Sequence, residues 1–437
     1  MSKHRPSADG PTALAAAPPT RAGFGALRHA ALSAWWFGSN FHWLPIGGIL
    51  IQAQVRDLVP RGSEGAAIGF VVGAGGIFAV LVPPLVGFYS DRLSTRWGRR
   101  RPVMVLGVAG DLLGLAVMMT AHSLAQLAVG YLAIQLFANA AGAAYAGMIP
   151  DVVPDEEFGR ASGYLSAMFT LGGLAGVSAS LALAAVHQVL LTYVVIGLVV
   201  VVTLLPVLWV AREEHPPPSS PRAPEEVRRG GLDRTLRDFL RPLAQGDFAW
   251  VIFTRLMMTA ATVVVYYFLS PFFREVVGVP NPDVFTSEWL LVVFVAGIPF
   301  GFLGGQLSDR LGRKPFVYAS SFFQGLVALV FVLLYPTSVP LVIALGALFG
   351  LGYGLYYAVD WALACDTLPD RRASAKDMGL FHVAYTLPQT FFPLVAGFVL
   401  DALNRGGGHQ GYRFVFAFSI LFFALGTVFV SRIRSTR

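Results

Sequence analysis

Long apolar runs constrain this chain most: twelve stretches of about twenty mostly apolar residues follow one another along its 437 residues. A helix needs roughly 20 such residues to cross about 30 Å of hydrocarbon. The composition agrees, since 13% of the residues are charged, against about 25% in soluble chains. We therefore predict an all-α membrane protein with twelve transmembrane helices. The stretches lie at 31–54, 65–88, 102–121, 124–149, 161–186, 189–210, 248–272, 287–305, 315–335, 339–364, 379–402 and 412–431.

The basic residues fall mostly on one side of this predicted topology. With both termini in the cytoplasm, 26 of the 32 Lys and Arg residues lie on the cytoplasmic side and five on the other. Membrane proteins keep Lys and Arg on the cytoplasmic side, so the asymmetry predicts this orientation. It also accounts for the net charge of +7 without a nucleic-acid partner. Because 29 arginines stand against three lysines, as is typical of GC-rich bacterial genomes, we expect a multi-pass protein of a bacterial inner membrane.

A charged, Pro-rich stretch divides the twelve runs into six and six. This stretch, residues 212–247, is predicted to be a flexible cytoplasmic linker. Residues 1–28 are Pro/Ala-rich without the apolar core of a signal peptide, and are predicted to form a disordered cytoplasmic tail. The expected domains are six-helix bundles at 29–211 and 248–437. The least distinct boundary between two runs is at 187–188.

Two pairs of motifs recur at nearly the same spacing. GFYSDRLSTRWGRRRP at 87–102 is matched by GQLSDRLGRKP at 305–315, with the aspartates after S offset by 218 residues. DVVPD at 151–155 is matched by DTLPD at 366–370, offset by 215 residues. Two landmarks at one period indicate an internal duplication, and parallel six-helix repeats are a known plan of transporters.

The residue types in these loops have physical uses of their own. Gly87 and Gly305 allow two helices to approach closely. Asp91 and Asp309 can accept hydrogen bonds from the free N–H groups of the following turn, or pair with a neighbouring arginine. The arginines hold the loops at the headgroups.

The paired loops resemble the signature of the major facilitator superfamily, G-x-x-x-D-R-x-G-R-R, and the similarity covers nearly the whole chain. The longer first copy and the run DWALACDTLPD at 360–370 are similar to the branch that holds sucrose transporters and glycoside–cation symporters. The resemblance implies two pseudo-symmetric six-helix bundles, alternating access, and loops that latch one half against the other.

The latch role implied by the resemblance goes to Asp91, Arg92, Asp309 and Arg310; the alternative is that the loops only anchor the topology. Four extra residues in the first copy leave its latch partners open. The candidate gating-loop residues are Gly87, Asp91, Arg92, Gly98, Arg99, Arg100, Gly305, Asp309, Arg310, Gly312 and Arg313.

Two opposite charges lie at similar depth in different runs. Arg255 is about seven residues into the seventh run, and Asp360 about four residues before the end of the tenth. An ionisable side chain at membrane depth costs roughly 2.5–3.5 kcal/mol, so it usually faces a cavity. We predict an ion pair that serves as a gate or in substrate recognition; the alternative is an ion pair of purely structural use.

Asp111 and His42 are candidates for proton coupling, because desolvation raises the pKa of a lone buried carboxyl group and histidine titrates near neutrality. Asp111 could instead simply bond to a neighbouring helix. The second run, 65–88, holds no acidic residue, unlike sodium-coupled glycoside symporters, which favours protons or no coupling ion.

Several runs carry polar and aromatic residues at helical spacing, and these are the candidate cavity residues. Planar rings stack on sugar faces, and amides supply paired donors and acceptors for hydroxyl groups. The candidates are Asn40, Trp43, Tyr131, Gln135, Asn139, Arg255, Thr259, Tyr266, Tyr353, Tyr357, Asp360, His382 and Gln389.

The resemblance, together with the amide and aromatic residues, implies a proton-coupled symporter of a sugar or glycoside. An exporter of drugs or metabolites from the same superfamily is the main alternative, and a non-transporting assembly factor is a third. The expected partners are a small solute, the proton and membrane lipid, and the expected functional unit is a monomer. The chain contains no nucleophile–base pair, phosphate loop or metal-ligand spacing, so neither an enzyme nor a cofactor is expected.

Overall fold

A computed structural model describes residues 24–60, 64–185, 190–210, 240–244, 246–369, 374–404 and 410–435. Within these ranges the regular structure is helical and contains no strand. The boundary predicted at 187–188 lies outside the described residues, as do most of the predicted tail 1–28 and of the predicted linker 212–247.

The described residues form twelve long helices, which correspond one by one to the apolar runs. They are α1 (Ala26–Pro45, continued by Ile46–Leu50 and Ile51–Leu58), α2 (Glu64–Ser90), α3 (Arg101–Met119), α4 (Leu124–Val152), α5 (Phe158–Ala185), α6 (Leu191–Val210), α7 (Gly246–Phe272, continued by Phe273–Val277), α8 (Pro282–Leu311), α9 (Lys314–Leu334), α10 (Val339–Asp366), α11 (Ser374–Asn404) and α12 (Gln410–Ser431). By length and apolar composition, nine of the described helices could cross a membrane.

The first helix of each half contains a π-helical turn after a proline, within α1 and at the end of α7. In α1 the turn Ile46–Leu50 follows Pro45, and in α7 the turn Phe273–Val277 follows Pro271. Proline has no N–H to donate to the preceding turn, so the regular hydrogen-bond ladder is broken at that point. The two halves thus share this irregularity as well as the sequence motifs.

Each half is a six-helix bundle, α1–α6 and α7–α12, and the halves meet through few helices. The principal contacts between them are α2 with α11 and α5 with α8. In addition, α10 contacts α5, and α4 contacts α11. Both the described start and the described end of the chain lie near the motif loop 305–315: Phe24 N–H donates to Glu157, just before α5, and the N–H groups of Arg434 and Ser435 donate to Asp247, which lies close enough to Lys314 to interact with its charge. We call this side of the bundle the signature end.

Candidate functional site

Asp91 binds the first turn of a helix in the opposite half. It lies directly after α2, and its two carboxylate oxygens accept the backbone N–H groups of Ala375 (3.1 Å) and Lys376 (2.9 Å) at the start of α11. The first N–H groups of a helix have no partner within it and carry its positive dipole end, so a carboxylate is a favourable ligand there. The sequence suggested either the following turn or a neighbouring arginine as the partner; the carboxylate binds a helix start across the interface instead of the following turn, and it also pairs with Arg100.

Asp309 makes the same contact in the reverse direction. Its carboxylate, near the end of α8, accepts the N–H groups of Gly159 and Arg160 at the start of α5, both at 2.8 Å. The two contacts are related by the sequence repeat, because Gly159 and Ala375 occupy equivalent places in the two halves. Together they are called the carboxylate latches below.

A buried arginine supports the first latch. Arg100 Nη2 lies 2.7 Å from Asp91 Oδ1 and donates to Ser374 Oγ at 2.8 Å, while its Nε lies 3.0 Å from Asp151 Oδ2. Burial disfavours the charged guanidinium, but the carboxylates of Asp151 and Asp91 outweigh it and raise the pKa of Arg100 above its ordinary value. Arg100 therefore stays charged and holds the latch carboxylate in place.

Arg313 occupies the equivalent position beside the second latch. Its Nη1 lies 2.7 Å from Asp309 Oδ1 and donates to Ser308 Oγ at 2.7 Å, and its Nε lies 3.1 Å from Asp366 Oδ2. Arg100 and Arg313 thus have the same set of partners: a serine, the latch aspartate, and the aspartate of the second repeat motif. The longer first loop places its supporting arginine nine residues after Asp91 rather than four.

The other loop arginines lie differently. Arg92 donates to Phe88 O in its own helix at 2.9 Å and stacks over the Phe88 ring, while Arg310 is exposed. The structure therefore gives the contacts at the latches to Arg100 and Arg313, two of the wider set of loop candidates. Arg99 lies 2.5 Å from Asp151 within its own half.

Glycines at both interfaces let the helices touch. A Cβ on Gly87 would collide with the backbone of Ala375, and one on Gly305 with the backbone of Gly159. The loop glycines Gly98 (φ 89°) and Gly312 (φ 88°) adopt left-handed backbone conformations just before the next helix begins.

A small cavity lies between the two halves. It has a volume of about 10 Å³, room for about one water molecule. The side chains that line it come from α1, α5, α7, α10 and α11, and they are Trp36, Leu165, Ser166, Phe169, Arg255, Tyr357, Trp361 and Tyr385. We call it the central cavity.

Aromatic rings from opposite halves meet around the central cavity. Trp36 packs edge-on against Trp361 with ring centroids 5.7 Å apart, and Phe169 stacks on Tyr357 at 5.6 Å and meets Tyr385 at 6.4 Å. Because each pair joins the two bundles, moving the bundles apart at this depth separates these rings.

Arg255 and Asp360 form the predicted ion pair, and both are buried. Arg255 Nη1 lies 2.8 Å from Asp360 Oδ2, yet neither atom has a hydrogen-bond partner of acceptable geometry. Arg255 Nε also lacks a partner, and the guanidinium carbon lies 3.8 Å from the centroid of the Phe381 ring and 5.3 Å from that of Tyr385. The pair is neutral overall, its contact is poorly aligned for a hydrogen bond, and Arg255 Nε is left without an acceptor.

The other candidates in the C-terminal half surround this pair. Tyr353 lies between Tyr266 (6.1 Å) and Tyr357 (4.5 Å), and the Tyr266 hydroxyl and Thr259 Oγ1 are buried without partners. His382 lies beside the Tyr385 ring, and Gln389 donates to Tyr385 O within α11. These residues lie around the cavity lining without forming it.

His42 and Asp111 come together in the N-terminal half, although they were proposed as separate proton carriers. His42 Nε2 lies 3.0 Å from Asp111 Oδ1, and both side chains are buried. Trp43 packs edge-on against the imidazole, and with Thr203 of α6 these residues line a second cavity of about 10 Å³. The pair lies inside one bundle, among α1, α3, α4 and α6.

The amide candidates of the N-terminal half are bonded within the protein. On α4, Gln135 Nε2 donates to the Tyr131 hydroxyl, and Asn139 Nδ2 donates to Gln135 Oε1. Asn40 Nδ2 donates to Phe169 O at 2.7 Å and so ties α1 to α5. These amides were predicted to line the cavity, and the structure instead places them in hydrogen bonds outside the central cavity lining.

Sequence reasoning missed most of the aromatic lining. Phe169, Trp361 and Tyr385 were not candidates, since a ring in an apolar helix gives no sign of whether it faces lipid, core or cavity. Trp361 had one available signal, because it directly follows Asp360, the buried acid on the same helix.

Two related six-helix bundles that are latched at one end around a central cavity define a polytopic membrane carrier. The chain belongs to the Major Facilitator Superfamily, whose sequence model matches residues 36–376 and 281–436. It is therefore a transporter rather than an enzyme, with the all-α fold of two six-helix bundles.

Curated relatives match only part of the chain. The class E tetracycline resistance protein of Escherichia coli is 32% identical over 127 residues, 29% of this chain and 30% of that protein. The uncharacterized protein YqgE of Bacillus subtilis (strain 168) is 29% identical over 140 residues, 32% of this chain and 31% of that protein. The chain therefore spans about a third of the length of the curated relatives that it matches.

Solved structures match nearly the whole chain at low identity. The transporter FucP in its outward conformation gives a TM-score of 0.69 at 15% identity, covering 93% of this chain and 98% of FucP. The proton:xylose symporter XylE gives 0.68 at 14% identity, with 93% and 94% covered. A bacterial homologue of the iron transporter ferroportin gives 0.64 at 14% identity, with 93% and 98% covered. At such identities the likeness concerns the fold alone.

Proposed function

We propose that this transporter carries a sugar or glycoside by alternating access, coupled to protons. The observation that carries the proposal is the neutral ion pair of Arg255 and Asp360 at an aromatic-lined cavity between the halves. Arg255 Nε has no acceptor, and the 2.8 Å contact of Arg255 Nη1 with Asp360 Oδ2 is poorly aligned for a hydrogen bond, so the pair suits a ligand that both accepts and donates hydrogen bonds.

A sugar hydroxyl meets this requirement, because one oxygen can accept from the guanidinium while its hydrogen is donated to the carboxylate. The surrounding rings of Trp36, Phe169, Tyr357, Trp361 and Tyr385 supply flat apolar surfaces for the sugar faces. A neutral substrate also leaves the charge of the pair balanced, whereas a charged one would leave a buried partner uncompensated.

The proton is assigned to the pair formed by His42 and Asp111. Both groups can exchange a proton, they are 3.0 Å apart, and they are buried away from the central cavity. Gaining or losing a proton changes the charge inside the N-terminal bundle, which is the kind of local electrostatic event that biases a two-state element.

The signature end is assigned to the cytoplasmic side of a bacterial inner membrane, because the arginine-rich loops and both described ends of the chain lie there. With both carboxylate latches closed, the conformation is the one that is sealed toward the cytoplasm. The central cavity is too small for a sugar in this state, so loading requires the rings of the two halves to separate at the other end.

Purified protein in proteoliposomes tests the proposal. We expect labelled maltose or sucrose to accumulate when a proton gradient directed into the liposomes is imposed. Asp360→Asn should abolish both this accumulation and the exchange of labelled for unlabelled sugar. Asp247→Asn is a matched control, since this carboxylate lies in the first turn of α7 and accepts the N–H groups of Arg434 and Ser435 of its own half. Absence of maltose and sucrose uptake in protein that is folded and correctly reconstituted contradicts the sugar proposal.

A second function is favoured by one comparison. The tetracycline resistance relative matches 29% of this chain at 32% identity, and export of the drug by this chain is the corresponding proposal. This alternative predicts that overexpression raises tetracycline resistance, and that tetracycline rather than maltose is moved by reconstituted protein. The two experiments together separate uptake of sugar from export of drug.

A further inference from the structure

Trp36 offers a hydrogen-bond donor that the protein itself does not use. Its Nε1 is buried without an acceptor, although the residue lines the central cavity. Three rings hold the indole edge-on, with centroid distances of 5.7 Å to Trp361, 5.4 Å to Phe169 and 6.4 Å to Tyr145. A buried indole N–H ordinarily finds a partner, so an orphan held this firmly at a cavity wall is a position for a ligand atom.

Another buried tryptophan of the chain shows the contrast. Trp289 is fully buried in α8, and its Nε1 donates to Val342 O at 2.9 Å. There the indole has a structural partner on a neighbouring helix. The absence of such a partner at Trp36 therefore distinguishes a wall of the cavity from ordinary packing.

The second orphan donor at the cavity comes from the opposite half. Arg255 Nε on α7 is buried without a hydrogen-bond acceptor, and Trp36 Nε1 lies on α1. A ligand that reaches both must present acceptor atoms on two sides. Ring stacking alone would satisfy neither group.

We propose that Trp36 is a specificity-determining residue whose indole N–H donates to an oxygen of the substrate, while Arg255 binds a second oxygen from the other half. The inference rests on the proposed transport site but not on the sugar: it requires a solute with oxygen acceptors at two separated places. Such a solute bridges the bundles, whereas one with acceptors at a single end engages one bundle only.

The test measures binding of maltose, sucrose and tetracycline to purified protein by isothermal titration calorimetry. Trp36→Phe keeps a ring and removes the N–H, and Trp36→His returns a ring N–H donor. Trp35→Phe is the matched control, because Trp35 is the neighbouring indole but lines the second cavity with His42. A neutral hydrogen bond is worth about 0.5–1.5 kcal/mol, so we expect Trp36→Phe to bind about 2- to 10-fold more weakly.

Recovery of affinity in Trp36→His, with Trp35→Phe close to wild type, supports the donor role. If only tetracycline binds and shows this pattern, the inference stands while the sugar proposal falls. Equal binding by Trp36→Phe and wild type overturns the inference, as does a wild type that binds none of the three probes.

Should Trp36→Phe fail to fold, the inference is tested by NMR on wild-type protein whose indoles are labelled with ¹⁵N. The Trp36 Nε1–H resonance, assigned by its loss in Trp36→His, is expected to shift downfield when the bound probe is added. A resonance that stays in place while calorimetry records binding overturns the inference.

Discussion

Replacing Asp91 by asparagine should open the signature end of the protein. The carboxylate accepts two N–H groups of α11 across the interface and pairs with the buried Arg100. Hydrogen bonds to charged groups contribute about 1.5–3 kcal/mol each. Because the amide oxygen of asparagine retains part of this interaction, we expect a loss of about 2–4 kcal/mol from the closed state. At 1.4 kcal/mol per factor of ten, the equilibrium shifts toward opening by roughly 30- to 700-fold.

Double electron–electron resonance can measure this shift. Spin labels at Ser94→Cys and Arg310→Cys, both exposed and on opposite halves at the signature end, report the separation of the bundles in a Cys365→Ala background. Asp91→Asn should add a population with a longer distance. Asp247→Asn is the control, because its carboxylate also accepts two backbone N–H groups at this end, yet within one half.

Two results would refute the reasoning. One is a distance distribution for Asp91→Asn that matches wild type, which would mean that the carboxylate contributes little to closure. The other is equal opening in Asp247→Asn, which would mean that loss of any surface carboxylate loosens the bundles and that the contact across the interface has no special weight.

Three further predictions follow from the same structure. Arg255→Asp or Asp360→Arg alone leaves a buried charge unpaired, which destabilises the fold by about 3–5 kcal/mol, so the yield of monodisperse protein should fall. The combined swap should restore the yield, and failure to restore it argues against the pair. Asp111→Asn should abolish accumulation driven by a pH gradient while exchange of labelled for unlabelled maltose continues; loss of both activities equally would remove the residue from coupling. Gly87→Ala places a Cβ against the α11 backbone and should open the signature end in the resonance assay, whereas Gly142→Ala, with nothing within 4 Å of the new Cβ, should not.

The sequence predicted the helices well because lipid imposes a simple rule on length and polarity. It placed the helix ends less accurately: α8 runs over Pro282–Leu311, whereas the apolar run covered 287–305. The extra turns hold Asp309 and Arg310, which continue the helix beyond the apolar stretch. Hydropathy therefore locates the membrane crossing and underestimates the helix.

Only part of the candidate site could be predicted from the sequence. The predictable features are those that depend only on how deep a residue lies in the membrane. The ion pair of Arg255 and Asp360 could be predicted from the sequence because two opposite charges at the same membrane depth stabilise each other when they are in contact. The contact between His42 and Asp111 could not, since it depends on how α1 rotates against α3. The partner of Asp91 also required the fold, because the N–H groups that it binds lie 284 and 285 residues away.

The paired latches have a consequence for the energetics of the transport cycle. Opening the signature end must release four backbone N–H groups from two carboxylates together, since both latches join the same two rigid bundles. In the proposed transport cycle, these four contacts favour the state that is closed at the signature end when no substrate is bound. In the proposed mechanism, binding of substrate and proton accelerates opening to the extent that it offsets the free energy of releasing these four N–H groups.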